Sequence, residues 1–311
     1  MKTDPSITVF AGGIGPEREI SLSTGRALTE SLRKSFEAQM IDVTEPFLPE
    51  GLDPENTIVF PAIHGTFGED GTLQAMLEQG GFTYAGSGSD SSRLCMDKHL
   101  SKEVVRDAGV RVARHLVFTD PKEVEVDRVL TELGPDLVLK PTDQGSSVAL
   151  YVINGKDEFT DALSEIGEGN WMVERRVFGR EVTIGILGDT PLGVVEVIPT
   201  GGVYDYERKY SAGSTEYRYP AVLSCEITKE LKEFATTAFS SCGCRDFGRV
   251  DFIISEDGQP HFLEINTLPG LTPTSLLPKS ASCSGYDFDK LTVHLAEPAL
   301  ERFARGSLLS A

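Results

Sequence analysis

A pair of apolar strands joined by Asp257-Gly258 limits the possible folds of this chain more than any other feature. An Asp-Gly pair between such strands is a strong signal for a β-hairpin with a two-residue loop. With this loop, Asp251 lies opposite Glu264. Arg249 lies opposite Asn266 on the same face, because residues two apart along a strand share a face. The sequence therefore predicts an antiparallel sheet with one polar face.

The two faces of this hairpin differ in chemistry. The carboxylates of Asp251 and Glu264 would lie about 5 Å apart at their β-carbons and would repel one another unless a cation lay between them. Two carboxylates with an amide oxygen suit Mg²⁺ held jointly with substrate phosphates. The alternative is a solvated polar face on which Arg249 pairs with one of the carboxylates. The opposite face is expected to enter the core through Val250, Phe252, Ile254, Leu263 and Ile265.

The first part of the chain alternates short β-branched runs with amphipathic stretches. Strands are predicted at residues 7–11 and 58–63, and helices at about 21–34 and from Thr72, as the cap, to Gly80. This alternation predicts a parallel sheet. A longer helix is predicted through Leu94 and Leu100 to a stop at Gly109. Lys98 lies roughly 200° around that helix from Leu100, so it points away from the expected core side.

From Leu137 onward the strands follow one another as hairpins. They are predicted at residues 137–140, 148–153, 171–177, 181–187 and 194–199, which favours an antiparallel, α+β arrangement. The change of pattern predicts an N-terminal α/β substrate domain at 1–92, a central lid subdomain at 93–178 and a C-terminal catalytic subdomain at 179–311.

Charge and composition narrow the classes of partner. The chain has 29 basic and 48 acidic residues, and the net charge of -19 repels nucleic-acid phosphates and anionic lipids, so neither partner is expected. No apolar run approaches the ~20 residues of a membrane span, and the first residues lack a secretory signal, so we expect a cytoplasmic protein. The five cysteines have no C-x-x-C spacing and are expected to be ordinary thiols.

Two segments could contact phosphate although no Walker-type loop occurs. The glycines of residues 12–15 lack the third glycine of a dinucleotide fingerprint, so NAD is not implied. Lys140 ends a predicted strand, and the small residues at 145–147 could bring backbone amides to phosphate oxygens. Taken alone, these features are also typical of a surface lysine and a plain turn.

Several segments in fixed order carry a family resemblance. They are residues 12–22, 63–65, 68–74, 84–88, 96–98, 140–141, 145–148, 204–210, 248–251, 263–267, 269–272 and 275–276. In this order and spacing they resemble the ATP-grasp superfamily and, within it, the D-alanine–D-alanine ligase family, over nearly the whole chain. The resemblance implies an ATP-grasp fold, α/β overall and α+β in the C-terminal half, with an N-terminal Rossmann-like domain. It also implies a homodimer.

The same resemblance implies the reaction. Two D-alanines would be joined to D-alanyl-D-alanine through a D-alanyl phosphate at the expense of ATP, for peptidoglycan precursors. The alternatives are a D-alanine:D-serine or D-alanine:D-lactate ligase, another ATP-grasp carboxylate-amine ligase, or a nucleotide-binding module that has lost its chemistry. Relatives that make D-alanyl-D-lactate generally have Phe where this chain has Tyr210, which favours an amine as the second nucleophile.

Residue roles are implied position by position. ATP would contact Lys98 and Lys140 through its phosphates, Glu174 through adenine, Glu181 through the ribose and Lys209 through phosphate again. Two Mg²⁺ ions, with Mn²⁺ as a possible substitute, would be held by Asp251, Glu264 and Asn266. The catalytic residues implied are Glu17, Ser146, Tyr210, Arg249 and the backbone N–H of Gly270. The substrate residues implied are His64, Ser275 and Leu276.

Overall fold

The computed structural model describes residues 5–145, 149–199 and 215–309, with side chains described as far as residue 306. Three β-sheets organise this part of the chain. The first sheet is parallel and the other two are antiparallel, as the sequence pattern predicts. Among these residues, no helix combines the length and the hydropathy that a bilayer span requires.

The first sheet is wholly parallel and has the order β2-β1-β3-β4. Its strands are β1 (Ser6–Gly12), β2 (Ala38–Val43), β3 (Thr57–Pro61) and β4 (Thr83–Tyr84), with helices α1 (Arg18–Leu32), α2 (Thr72–Gln79) and α3 (Ser89–Met96). The predicted cap of α2 is wrong by one residue. Gly71 occupies the cap position with φ +87°, and Thr72 begins the helix.

The second sheet is antiparallel and has the order β5-β8-β6-β7. Its strands are β5 (His115–Phe118), β6 (Asp136–Pro141), β7 (Tyr151–Asn154) and β8 (Trp171–Arg175). The accompanying helices are the short 3₁₀ helix Pro121–Glu123, α5 (Val126–Leu133) and α6 (Lys156–Glu165), whereas α4 (Lys98–Asp107) packs against the third sheet.

The third sheet is antiparallel and has the order β11-β10-β9-β12-β13. Its strands are β9 (Gly179–Leu187), β10 (Thr190–Pro199), β11 (Thr215–Arg218), β12 (Phe247–Ser255) and β13 (Pro260–Asn266). Helices α7 (Cys225–Ser241), α8 (Leu276–Ser282) and α9 (Phe288–Leu309) complete the fold. One face of this sheet packs on α7, and the other carries the polar residues of β12 and β13.

The C-terminal helix returns to the first sheet. Leu291 and Leu295 of α9 are fully buried in the same hydrophobic cluster as Ile7 and Val9 of β1. The first and third predicted domains therefore share one core cluster, and the domain boundaries stay a prediction.

One predicted helix is in fact two. The stretch expected from Leu94 to Gly109 divides at Asp97, which has an extended backbone and whose carboxylate accepts the N–H groups of His99 and Leu100. An Asp cap of this kind satisfies backbone donors that would otherwise lack partners. Leu100 is 49% exposed, so it is not part of the core side expected of this helix.

The hairpin register is confirmed at the polar residues, but its loop was predicted wrongly. Asp251 pairs with Glu264 and Arg249 with Asn266, as expected. The loop nevertheless has three residues, 256–258, because Ser255 pairs with Gln259 and Gly258 has φ +83°. This is a three-residue hairpin whose last loop residue is left-handed.

A β-bulge restores the register. Phe252 pairs with Phe262 while Asp251 pairs with Glu264, so Leu263 has no partner on β12. The bulge shifts Phe262 into the core, where it is fully buried, whereas Leu263, expected in the core, is partly exposed. One extra residue in the loop and one in the strand thus offset each other.

Candidate active site

A cavity of about 610 Å³ is lined by residues from all three predicted domains. Nine of the sequence-predicted site residues line it: Glu17, His64, Lys98, Arg249, Glu264, Asn266, Gly270, Ser275 and Leu276. Asp251 lies directly behind Arg249, and Lys140 and Glu174 form a buried ion pair nearby. Ser146, Lys209 and Tyr210 lie outside the described residues.

The first sheet supplies the wall that contains Glu17 and His64. Glu17 precedes α1 and is only 9% exposed. A β-carbon on Gly65 would come within 2.7 Å of the Glu17 carboxylate, so glycine is needed for this approach. His64 is buried between Thr24, 3.0 Å from its Nε2, and Glu69, 3.2 Å from its Nδ1. These contacts fix the imidazole ring at the cavity wall.

The third sheet supplies a charged network on its polar face. The guanidinium of Arg249 donates two hydrogen bonds to Asp251, at 2.9 and 2.8 Å. The amide nitrogen of Asn266 donates to Asp251 at 3.0 Å, and Lys98 Nζ lies 3.5 Å from Glu264 Oε2. This geometry contains the ion pair that the sequence offered as the alternative to a metal site, and it sets two cations against the two carboxylates.

These residues nevertheless fit a hard divalent cation. Asp251, Glu264 and Asn266 offer oxygen ligands from two paired strands, and Asp251 and Glu264 face one another in register. Asn266 uses its amide nitrogen on Asp251, which leaves the carbonyl oxygen as its ligand atom. Oxygen donors of this kind, shared with phosphates and water, are those Mg²⁺ prefers. Arg249 would have to share Asp251 with the ion.

The second sheet carries a triad of buried charges. Glu174 lies between Lys102, 2.7 Å from its Oε2, and Lys140, 2.5 Å from its Oε1. Burial opposes the ionisation of Glu174, but the charges and hydrogen bonds of the two lysines outweigh it and hold its pKa at about 2. Burial lowers the pKa of Lys102, and Glu174 offsets part of that effect. The carboxylate is therefore ionised at neutral pH, with two lysines sharing one charge.

Sequence reasoning missed Lys102, which is fully buried. It lies one turn after Lys98 on α4, and its buried neighbours on that face are Ser101 and Val105. The spacing of four residues from Lys98 was the available signal, because such residues share a helix face. Because Leu100 is apolar, the sequence pattern predicted the core on the wrong side of α4.

The remaining predicted residues lie at the edges of this arrangement. Glu181 is on β9, two residues from Thr183, which donates to Asp251, so the two carboxylates share the polar face. Ser275 occupies the position before α8, and its hydroxyl accepts the N–H of Thr272 at 3.1 Å rather than one from the helix. Helix α8 approaches β9 closely at Gly185, where a β-carbon would come within 2.5 Å of Leu277.

Two models of one protein family match this chain. The model described as D-ala D-ala ligase C-terminus matches residues 104–297, and the model described as D-ala D-ala ligase N-terminus matches residues 46–87. A D-alanine--D-alanine ligase from Anaeromyxobacter sp. (strain K) is 38% identical over 96% of this chain and 97% of its own length. One from Geobacter sulfurreducens is 39% identical over 92% and 91%.

Solved structures agree with these matches. The D-alanine--D-alanine ligase from Bacillus anthracis complexed with ATP is 30% identical, with a TM-score of 0.84, over 98% of this chain and 100% of that one. A D-Ala:D-Ser ligase from Enterococcus faecalis is 27% identical, with a TM-score of 0.83, over 96% and 99%. Both similarities extend over the three sheets.

Proposed function

Because this chain belongs to the D-alanine–D-alanine ligase family, has the ATP-grasp fold and is an ATP-dependent ligase of two D-alanines, we propose that the reaction takes place in the cavity described above. The observation that carries this proposal is the meeting of Arg249, Glu264 and Lys98 with Glu17 and His64 in one cavity. Cations for phosphate, carboxylates for metal and a carboxylate for a substrate ammonium are the groups that the chemistry requires.

ATP would extend along the second and third sheets. Lys98 and Lys140 would contact its phosphates, and Glu174 and Glu181 its adenine and ribose. Asp251, Glu264 and Asn266 would hold two Mg²⁺ ions, or Mn²⁺ in their place. When bound, these ions would neutralise charge on the β- and γ-phosphates. Lys209 would add a further phosphate contact, as the family resemblance implies.

The buried triad suggests how Lys140 is released to a phosphate. Lys102 is fully buried, whereas the Lys140 side chain is 11% exposed. Two lysines share one carboxylate, so Lys140 can turn to an anionic ligand while Lys102 continues to neutralise Glu174. An unpaired buried carboxylate would cost several kcal/mol. Lys102 is therefore a positioning residue rather than a catalytic one.

The proposed chemistry has two steps. A carboxylate oxygen of the first D-alanine attacks the γ-phosphorus, the bond to ADP breaks, and an acyl phosphate forms. The amine of the second D-alanine then attacks the acyl carbon, phosphate leaves, and the amine loses a proton. Arg249 and the N–H of Gly270 would stabilise the oxyanion between these events, a role worth roughly 10²- to 10³-fold per donor.

The remaining residues would orient the two amino acids. Glu17 would bind the first ammonium and, with Ser146 and Tyr210, close the site over the second substrate. Ser275 and Leu276 would bind the second carboxylate, and His64, fixed by Thr24 and Glu69, would accept a proton.

The acceptor needs a separate test. The similarity to the D-Ala:D-Ser ligase keeps D-serine as an alternative second acceptor, since an added hydroxyl is weakly rejected by a pocket that lacks a group built to exclude it. Tyr210 supports an amine over the hydroxyl of D-lactate. We also propose a homodimer located in the cytoplasm, with no nucleic-acid or membrane partner, as the family resemblance and the net charge of -19 favour.

The metal assignment is tested by Asp251→Asn, which keeps the side chain's size but removes its charge. We expect turnover to fall by at least about 10²-fold at any Mg²⁺ concentration, because a metal ligand and the partner of Arg249 are lost together. Asp257→Asn, an exposed change in the loop of the same hairpin, is the control and should keep full activity. Equal activity of the two variants would refute the assignment.

A further inference from the structure

Two histidines and a glutamate come together between α4 and the start of β5, outside the cavity. His99 Nδ1 lies 3.1 Å from His115 Nε2, and His115 Nε2 lies 3.6 Å from Glu103 Oε1. One ligand atom from each of the three residues lies within 4.8 Å of the other two. His99 and Glu103 are one turn apart on α4, and His115 is the first residue of β5.

These distances match a tetrahedral transition-metal site. Zinc holds imidazole nitrogen and carboxylate oxygen at about 2.0–2.2 Å, so two ligand atoms of a tetrahedron lie about 3.3 Å apart. The observed separations of 3.1 and 3.6 Å lie on either side of that value. A simple hydrogen bond between two imidazoles would not require a carboxylate at the same distance.

The imidazole of His115 already has the orientation of a metal ligand. Its Nδ1 lies 3.2 Å from the carbonyl oxygen of Ala113, which can only accept a hydrogen bond. The proton of neutral His115 is therefore on Nδ1, and the lone pair of Nε2 points towards His99 and Glu103. A backbone carbonyl that holds the far nitrogen of the ring is the usual partner of a metal-bound histidine. The His115 side chain is only 4% exposed, so this orientation is held by packing.

We propose that His99, Glu103 and His115 form a site for one divalent transition-metal ion of the zinc class, with water as the fourth ligand. Two nitrogens and one carboxylate favour such an ion over Mg²⁺ or Ca²⁺, which prefer oxygen ligands. Arg106 now pairs with Glu103, but its side chain is 50% exposed and can turn to solvent. The bound ion would tie α4, which carries Lys98 and Lys102, to β5, the strand paired with Glu174 of β8.

The test is a titration of chelator-treated protein with Co²⁺ in buffer containing excess Mg²⁺, without ATP or amino acids. Excess Mg²⁺ competes with Co²⁺ for the oxygen ligands of the cavity, and the absence of substrates makes the result independent of ligase activity. We expect one Co²⁺ per chain with the visible absorption of a tetrahedral ion, displaced by Zn²⁺, and a higher melting temperature with Zn²⁺.

Variants locate the ion. His99→Gln and Glu103→Gln, both partly exposed positions, should each weaken binding by at least about tenfold and abolish the Zn²⁺-dependent stabilisation. The control is His294→Gln, which removes a histidine paired with Glu297 elsewhere on the surface and should bind as the wild type does. No tetrahedral Co²⁺ signal in the wild-type protein, or equal affinity in all three variants, would overturn the proposal.

A pair of cysteine thiols is the alternative binding site for the added metal ion. Cys95 Sγ lies 3.5 Å from Cys244 Sγ, and thiolates also bind Co²⁺ and Zn²⁺. Thiolate ligands add a strong near-ultraviolet charge-transfer band, which nitrogen and oxygen ligands lack. A spectrum with that band that survives His99→Gln would place the ion at the cysteines and overturn the proposal.

Discussion

Replacing Lys102 by Met tests the buried triad. Met fills a similar volume but leaves Lys140, 2.5 Å away, as the one ion-pair partner of Glu174 among the described residues. Breaking a buried ion pair of this kind typically costs about 3–5 kcal/mol, and the remaining lysine places the expected loss near about 3 kcal/mol. We therefore expect the melting temperature to fall by roughly 5 °C for a chain of 311 residues. The KM for ATP should rise at least about tenfold, equal to about 1.4 kcal/mol, because Lys140 can no longer leave Glu174 without exposing a buried charge.

The assay combines thermal unfolding with steady-state kinetics at varied ATP. Lys122→Met, a change at an exposed lysine, is the control and should alter neither value. A pure stability effect would lower the melting temperature and leave the KM for ATP unchanged. A KM within about twofold of the wild type would refute the role of Lys102 in releasing Lys140.

We predict three further outcomes. Arg302→Ala should lower the unfolding free energy by about 3 kcal/mol in denaturant titrations, because the buried Asp246 loses two hydrogen bonds of 2.6 Å. The control, Arg305→Ala at an exposed arginine, should change the unfolding free energy little. Tyr210→Phe should raise the rate with D-lactate relative to D-alanine, and an unchanged ratio would contradict the role of that hydroxyl. The lowered pKa of Glu174 adds stability that is complete above about pH 4.5 and is lost as the pH falls towards the pKa of about 2 in the folded protein. The difference in unfolding free energy between wild type and Glu174→Gln should therefore shrink over that pH range.

The hairpin was predictable because its determinants are local. Alternation of apolar and polar residues and the Asp-Gly signal predict a hairpin with Asp251 and Glu264 on its polar face. The pairing of these two residues is correct because the extra loop residue and the bulge offset each other. The loop length and the bulge at Leu263 were not predictable, because their cause lies far away in sequence. The backbone N–H of Phe262 donates to the carbonyl of Arg111, and Val112 pairs with Phe262 as an isolated parallel bridge. That contact holds Phe262 in the core and leaves Leu263 as the extra residue.

Helix α4 shows the opposite case. Periodicity of apolar residues selected Leu100 as a core residue, yet the buried face of α4 contains Ser101, Lys102 and Val105. A rule based on hydrophobicity fails where a helix packs its charged side against a buried carboxylate. Lys98 was predicted to point away from the core side, but it lies on the buried face of α4 together with Lys102, where it lines the cavity.

The central claim is that this chain joins two D-alanines at the expense of ATP, and product analysis tests it most directly. Purified protein is incubated with Mg²⁺-ATP alone, with D-alanine, or with D-alanine plus excess D-serine or D-lactate. ADP release and the ligated product are then measured by mass spectrometry. We predict no release without D-alanine, D-alanyl-D-alanine in equal amount to ADP when it is present, and little depsipeptide with D-lactate. ADP release without any ligated product, or no release in any mixture, would contradict the account.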